Sequence, residues 1–290
     1  MLLGFKDYNK QAQRLADALD LPYSLIDTHH FPDGESKVTL PEKLPPHVVF
    51  CRSLDRPNEK LIELLLAAKT AKSLGATRLT LICPYLCYMR QDTAFNPGEA
   101  VSQSIIGELL AGLFDEVITV DPHLHRTHSL NEVFPHTRAV ALSASPAMVD
   151  FLSQYKQSIL IGPDEESEQW VSNIAVASHM KYAVAYKKRY GDRKVDISLP
   201  DIEYQEKNII LIDDIISSGE TIATCAQQCR ERGVKSIDAL VTHALFAPGS
   251  LERLKQAGIQ NIWTTDSITH PTNVINLFEI LAKGFKQLQD

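Results

Sequence analysis

The run Lys207 to Thr224, KNIILIDDIISSGETIAT, sets two adjacent carboxylates, Asp213 and Asp214, just ahead of a turn made of Ser217, Ser218, Gly219 and Thr221. Neighbouring acids can accept from sugar hydroxyls or hold a divalent cation. A turn of small hydroxyl residues opening into a helix offers backbone N–H groups, side-chain donors and the positive end of a helix dipole, which together favour a phosphate. The same residues also suit an ordinary helix cap beside solvated aspartates. What positions them is the stretch before. Asn208 to Ile212 is short, apolar and rich in isoleucine, which predicts a strand buried on both faces of a parallel sheet. The acids then fall at its carboxyl end, the edge at which open α/β sheets bind ligands.

Other segments carry chemistry at similar places. The predicted strand Arg78 to Tyr85 is followed by Arg90, Gln91 and Asp92. Arginine there could fork onto a nucleotide phosphate and glutamine could read an adenine edge; alternatively Arg90 and Asp92 form a surface salt bridge of little consequence. A strand over Glu116 to Val120 leads into DPHLHRTH, whose His123, His125 and His128 suggest either zinc or a loop of solvated imidazoles. Their spacing matches no zinc module. The segment GPDEES puts Asp164 beside Glu165 and Glu166, and such crowding of like charge hinders binding of a bare anion unless a metal neutralises it. After a strand expected over Ala183 to Tyr186 come Lys187, Lys188, Arg189 and Arg193 in a polar stretch long enough for a mobile flap. A solvated charge run is the ordinary reading, but this one leaves the sheet at its ligand end. HHFPDGESKVTL reads as a loop with a turn at Asp33 and Gly34.

The 290 residues leave room for one large or two medium domains, and 44% hydrophobic residues suffice for a sizeable core. A net charge of −7 argues against a general nucleic-acid surface, so phosphate recognition must come from local groups. There is no apolar run of membrane-spanning length and no signal-peptide pattern, so a cytoplasmic location without membrane contact is expected. Five cysteines, at 51, 83, 87, 225 and 229, include no CxxC pair and read as reduced thiols. A strand at His47 to Cys51 and a long amphipathic helix closed by Gly75 belong to a strand, loop, helix rhythm that restarts around Ala139 to Met148. The expected fold class is α/β: two similar domains, 1–143 and 144–290, each a mainly parallel sheet flanked by helices, the second ending in a closing helix over Asn273 to Leu288.

Taken in order, these segments resemble the ribose-phosphate diphosphokinases, or phosphoribosyl diphosphate (PRPP) synthetases, especially their archaeal-type branch. The Asp213 loop is also similar to the PRPP loop of type I phosphoribosyltransferases, the fold from which those synthetases build both halves. The resemblance implies an N-terminal ATP domain, a C-terminal ribose 5-phosphate domain and substrates lying between them. Ser217, Ser218, Gly219 and Thr221 would take the 5-phosphate and Asp213 and Asp214 the ribose hydroxyls. Phe31, Asp33 and Glu35 match the residues that hold adenine from a neighbouring subunit, and Arg90 and Gln91 match the ATP-binding segment. His123, after Asp121, corresponds to a contact with the Mg2+ on ATP, and Asp164 to a metal contact in the pyrophosphate loop. Lys187 and Arg189 match the lysine, any residue, arginine pattern of a catalytic flexible loop, while Asp266 and Ser267 resemble a position near adenine or ribose.

Two departures stand out. Glu220 replaces a glycine common in the family, so its side chain is expected to face outward, and Glu165 and Glu166 stand where the commoner form has small residues and glycine. The implied reaction moves the β,γ-diphosphoryl group of MgATP to the anomeric hydroxyl of ribose 5-phosphate, giving PRPP and AMP, in a homodimer or larger homo-oligomer. A PRPP-consuming phosphoribosyltransferase would leave Phe31, Arg90, Gln91 and His123 without a role. A catalytically silent synthetase-like subunit would not need Lys187 and Arg189.

Overall fold

The computed structural model describes residues 1–124, 127, 129–190 and 194–289. The chain divides into two compact units: Met1–Ser143 joined by the C-terminal segment from Phe278, and Ala144–Leu277. In the first unit, strands β1 (Leu2–Gly4), β2 (Tyr23–Leu25), β5 (His47–Cys51), β6 (Arg78–Cys83), β7 (Glu116–Val120) and β8 (Arg138–Leu142) form one sheet in the order β2-β1-β5-β6-β7-β8. All its pairings are parallel. Runs such as HVVFC and RLTLIC are buried almost throughout, as strands covered on both faces by helices must be. Helices α1 (Asn9–Ala18), α2 (Pro57–Ser73), α3 (Ser102–Ala111) and α4 (Leu130–Val133) follow strands of this sheet. A short antiparallel ribbon, β3 (Asp27–His30) with β4 (Ser36–Thr39), stands outside it.

The second unit repeats the plan. After α5 (Ser145–Leu152) come β9 (Ile159–Gly162), α6 (Glu168–Ser178) and β10 (Lys181–Val184), then a second antiparallel ribbon, β11 (Tyr186–Tyr190) with β12 (Lys194–Ser198). β13 (Asn208–Ile216), α7 (Glu220–Glu231), β14 (Ser236–Ala244), α8 (Ser250–Gln256), β15 (Ile262–Thr265) and β16 (Asn273–Ile275) complete it. The order β10-β9-β13-β14-β15-β16, again parallel, is that of the first sheet. In each unit the chain takes a first strand, steps to the edge, makes a ribbon, and crosses to the far side of the first strand. The reversal between β1 and β5, and between β9 and β13, is where such sheets open a crevice at their carboxyl ends.

The α/β class expected from sequence is the class observed, but three elements differ. The closing helix does not begin at Asn273: residues 273–275 are strand β16, and helix α9 spans Phe278–Gln289. Nor does it belong to the second half, as a 144–290 domain required. It joins the first unit, where the Phe285 ring stacks on His47 at 5.9 Å and Arg138 Nη1 donates to the Leu288 carbonyl at 2.8 Å. Gly284 lies so close to Leu142 that an added Cβ would fall 2.6 Å from its Cδ1. An amphipathic helix at a chain end carries no mark of which apolar surface will receive it. The third difference is β8, a strand with no fully buried residue that lies where no strand was expected. Among the described residues no helix is long and apolar enough to cross a membrane.

Phe285 is 7% exposed, so Phe285→Ala is expected to cost about 3 kcal/mol. Amide exchange should quicken in β5 and α1 and remain unchanged in β13 and β14; the reverse pattern would contradict the placement of α9.

Candidate functional site

β13 outruns its neighbour β9, whose last paired residue is Ile161 opposite Leu211, and continues beside β14 through Asp213↔Val241, Ile215↔His243 and Ile216↔Ala244. Asp213 and Asp214 are therefore inside the strand rather than after it, a correction to the expected end at Ile212. Ile215 and Ile216 extend the apolar ladder beyond the acids. Successive strand residues face opposite ways, and Asp214 is 2% exposed while Asp213 keeps partial access to solvent. Asp213 Oδ1 accepts the Asp214 N–H at 2.9 Å. Burial, followed by the charges of Asp214 and Asp164, pushes the Asp213 carboxyl well above its ordinary range.

Asp164 reaches this cluster from the loop after β9. It caps a single 3-10 turn, Glu165–Ser167: its side chain accepts the Ser167 N–H, and Ser167 Oγ donates to its carbonyl at 2.6 Å. The turn folds back so tightly that a Cβ on Gly162 would lie 2.4 Å from Ser167 Oγ. Glu165 and Glu166 are exposed. Among the described residues no group of three His, Cys, Asp or Glu side chains is arranged to hold a metal unaided. Magnesium is ordinarily held by one or two carboxylates completed by phosphate oxygens and water. A crowded set of aspartates, whose repulsion a cation relieves, fits that requirement.

Beyond β13 the chain turns through Ser217 and Ser218 into α7. Gly219 has φ 72°, a left-handed conformation, and the Leu254 side chain lies 3.2 Å from where its Cβ would be. Capping is present: Ser218 Oγ accepts the Glu220 N–H at 3.4 Å. Two further bonds lie outside any cap. The Ala247 N–H donates to the Ser217 carbonyl at 2.9 Å, and Arg253 Nη1 donates to the Ser218 carbonyl at 2.6 Å. In a trans peptide C=O and the following N–H point in opposite directions. Fixing these two carbonyls leaves the N–H groups of Ser218 and Gly219 directed away from those donors at the start of a helix, an arrangement that can receive an anion. Thr221 follows in the first turn of α7, and Glu220 is exposed as expected.

Lys187 and Arg189 lie on β11, so the polar stretch expected to form a flap is at these positions one strand of an antiparallel ribbon. Lys187 pairs with Ile197 and Arg189 with Val195, so positions 187 and 189 share one face of the ribbon. The charges hid a strand whose partner is anchored by buried Ile197 and by a bond from Gln228 Nε2 on α7 to the Ile197 carbonyl. Arg193 lies outside the described residues.

In the first unit, Phe31, Asp33 and Glu35 form the tip of the β3–β4 ribbon. The Phe31 N–H donates to the Glu35 carbonyl at 2.8 Å, Asp33 Oδ1 accepts the Glu35 N–H at 3.2 Å, and the Phe31 ring is 41% exposed. Arg90 and Gln91 follow β6. Arg90 is exposed, and Gln91 Oε1 accepts from Ser102 Oγ at 3.0 Å, leaving Nε2 as the donor it can present. His123 follows β7, the strand beside β6, after a reversal at buried Asp121 with φ 37°. His125 and His128 lie outside the described residues, so the zinc reading rests on His123 alone. Asp266 and Ser267 are buried: Asp266 accepts the Leu277 N–H at 2.8 Å and Ser267 Oγ donates to the Thr242 carbonyl at 2.9 Å. They hold the β15 edge. Thus Asp164, Asp213, Asp214 and the Ser217–Thr221 turn meet at one sheet edge, and Arg90, Gln91 and His123 follow adjacent strands of the other sheet. Arg253 and the Ala247 amide escaped sequence reasoning, since a support that acts through a backbone carbonyl leaves no motif.

Residues 1–113 match the family pattern described as the N-terminal domain of ribose phosphate pyrophosphokinase, and residues 129–275 match the phosphoribosyl transferase domain. The chain is similar to the ribose-phosphate pyrophosphokinase of Methanopyrus kandleri, 29% identical over 292 residues covering 99% of each chain. The corresponding protein of Methanothermobacter thermautotrophicus is 30% identical over 288 residues, covering 99% of this chain and 100% of that one. Ribose-phosphate pyrophosphokinase 2 of Archaeoglobus fulgidus is 31% identical over 273 residues, 94% and 95% of the two chains. The fold of this chain is similar to that of the phosphoribosylpyrophosphate synthetase of Mycobacterium smegmatis, with a TM-score of 0.84 at 22% identity over 100% of this chain and 98% of that one.

Because Arg253 acts on the loop through one charge-assisted bond, Arg253→Ala should weaken binding of a sugar phosphate about tenfold, read by titration calorimetry. Unchanged affinity would contradict the orienting role.

Proposed function

Since the chain belongs to the ribose-phosphate pyrophosphokinase family, we propose that it transfers the diphosphoryl group of MgATP to the anomeric hydroxyl of ribose 5-phosphate, giving PRPP and AMP. The observation that supports this reading is the edge of the second sheet, where crowded carboxylates stand beside a helix-start turn whose Ser217 and Ser218 carbonyls are fixed by outside donors. Ribose 5-phosphate has that pairing of groups: vicinal hydroxyls that donate to carboxylates and a phosphate that accepts from N–H groups. In this proposal Asp213 and Asp214 hold the ribose hydroxyls, and Ser217, Ser218, Gly219 and Thr221 hold the 5-phosphate.

On the donor side, Arg90 forks onto the nucleotide phosphates, Gln91 meets the adenine edge, and Phe31, Asp33 and Glu35 enclose the base. An exposed Phe31 at a ribbon tip suits a base-binding surface completed by a second copy of the chain, in a homodimer or larger closed assembly. His123 and Asp164 are the residues proposed to hold magnesium. Bound there with the nucleotide, magnesium would neutralise diphosphoryl charge. Lys187 and Arg189 stabilise the charge that develops as AMP departs, and their ribbon limits access of water to the reacting group. The basic ribbon offers no good general base, so orientation and electrostatics are proposed to dominate over proton abstraction. ATP and sugar phosphates are metabolites of the cytoplasm, the proposed place of work.

The full-length protein mixed with ATP, magnesium and ribose 5-phosphate is expected to release AMP only when the sugar is present. AMP formed without the sugar, or none at all, would reject the proposal, the latter in favour of a silent subunit. Lys187→Ala should lower kcat by about two to three orders of magnitude while the KM for ribose 5-phosphate changes only a few-fold. A rise in KM alone would assign Lys187 to affinity instead.

A further inference from the structure

The β3–β4 ribbon has four residues in each strand, most of them exposed. A two-stranded ribbon of that size is marginal in water, so something outside it must hold it in place. The last rung before its tip is the pair His30↔Ser36. Both side chains of that rung reach one oxygen: His30 Nε2 lies 2.8 Å from Glu63 Oε1, and Ser36 Oγ donates to the same atom at 3.3 Å. Glu63 is on α2, 1% exposed, among Leu61, Leu64 and Ala67. A carboxylate so deeply buried is costly unless it is paired.

It is paired on its other side. Arg52 Nη2 lies 2.6 Å from Glu63 Oε2, a charge contact rather than an aligned hydrogen bond. The Arg52 guanidinium sits 4.1 Å over the Phe5 ring and 3.2 Å from Asp7. Lys60 closes the network, 2.8 Å from Asp7 and 2.7 Å from Asp55. Asp7 comes soon after β1 and Arg52 directly after β5. This charge network therefore occupies the reversal point of the first sheet, the place at which the second sheet carries its carboxylates and the turn into α7.

We propose that Glu63 is a positioning residue for the nucleotide. One buried carboxylate, braced by Arg52, grips both strands of the ribbon at the rung next to Phe31, Asp33 and Glu35 and holds those three in register for adenine. The inference rests on the donor-side reading of that tip given above. The grip is narrow. A cavity of about 480 Å3 opens between the ribbon and α2, lined by Gly34, Glu35, Ser36, Asn58, Glu59 and Ile62 among others. Few other side chains can then steady the tip from that side.

The test uses full-length protein and three variants. Glu63→Gln removes the charge. The double variant His30→Ala with Ser36→Ala breaks the grip without touching the buried Arg52 pair, and His30 is exposed enough for that variant to fold. Phe31→Ala reports on the tip itself. Both grip variants are expected to raise the KM for ATP about fivefold, with kcat at saturating ATP and the KM for ribose 5-phosphate within about twofold of the parent. Exchange of the Phe31 and Gly34 amides should quicken, and Phe31→Ala combined with the double variant should add less than about twofold to its own effect. If Phe31→Ala raises the KM for ATP and the double variant does not, the role of Glu63 is overturned while the tip keeps its own. If Phe31→Ala has no effect, the adenine reading of the tip fails and the inference with it. A loss in Glu63→Gln spread evenly over kcat and both substrates, absent from the double variant, would show a folding role only.

Discussion

Adding parallel strands first to one side of a starting strand and then to the other forces the two connections that leave it onto opposite faces of the sheet. Between them lies a crevice that no helix covers. Both units of this chain are built around that gap, and each has dealt with it differently. In the first, two cations and three carboxylates interleave so that charge is largely balanced, with an aromatic ring behind the guanidinium. In the second, Asp213 and Asp214 of β13 and Asp164 from the loop after β9 come close enough that their charges, with burial, raise the Asp213 carboxyl. Balanced charge in a crevice serves structure. Concentrated charge of one sign disfavours the empty state and favours whatever brings the opposite sign.

The Ser217–Gly219 turn depends on neighbours from the stretch around α8. α8 places Leu254 beneath Gly219 and Arg253 behind Ser218, while the segment leading into α8 supplies the Ala247 amide. Three groups from one short stretch thus fix the peptide planes of a turn thirty-odd residues earlier in the chain, an order of distance set by the β13–α7–β14 unit itself. A glycine at φ 72° permits the turn, and the external bonds select which of its conformers persists. Preorganised amides of this kind lose little freedom when an anion arrives.

Much of this was legible in the amino-acid types. Asp213 to Thr221 could be read because acids, small hydroxyls and glycine are what the backbone and a sugar phosphate both require at that position. The sheets were legible because doubly covered strands are continuous apolar runs. The docking of α9 was not, because amphipathicity names a face and not its partner. β11 was hidden by its charge, and its partner strand is held by buried Ile197. Glu63 sits in a helix that reads as ordinarily amphipathic, and only the arrival of Arg52, His30 and Ser36 from distant positions distinguishes it from a solvated acid.

Both ribbons are inserted at the same step of the chain path, between the edge strand and the crossing, and both lie outside the sheets. Neither ribbon takes part in the strand order of either sheet. Such appendages can vary in length and charge while the scaffold stays constant, and here one ends in an aromatic ring with two acids and the other bears lysines and an arginine. A duplicated fold with an appended ribbon in each copy gives selection two separate handles, so the chemistry at one can change without the other having to follow.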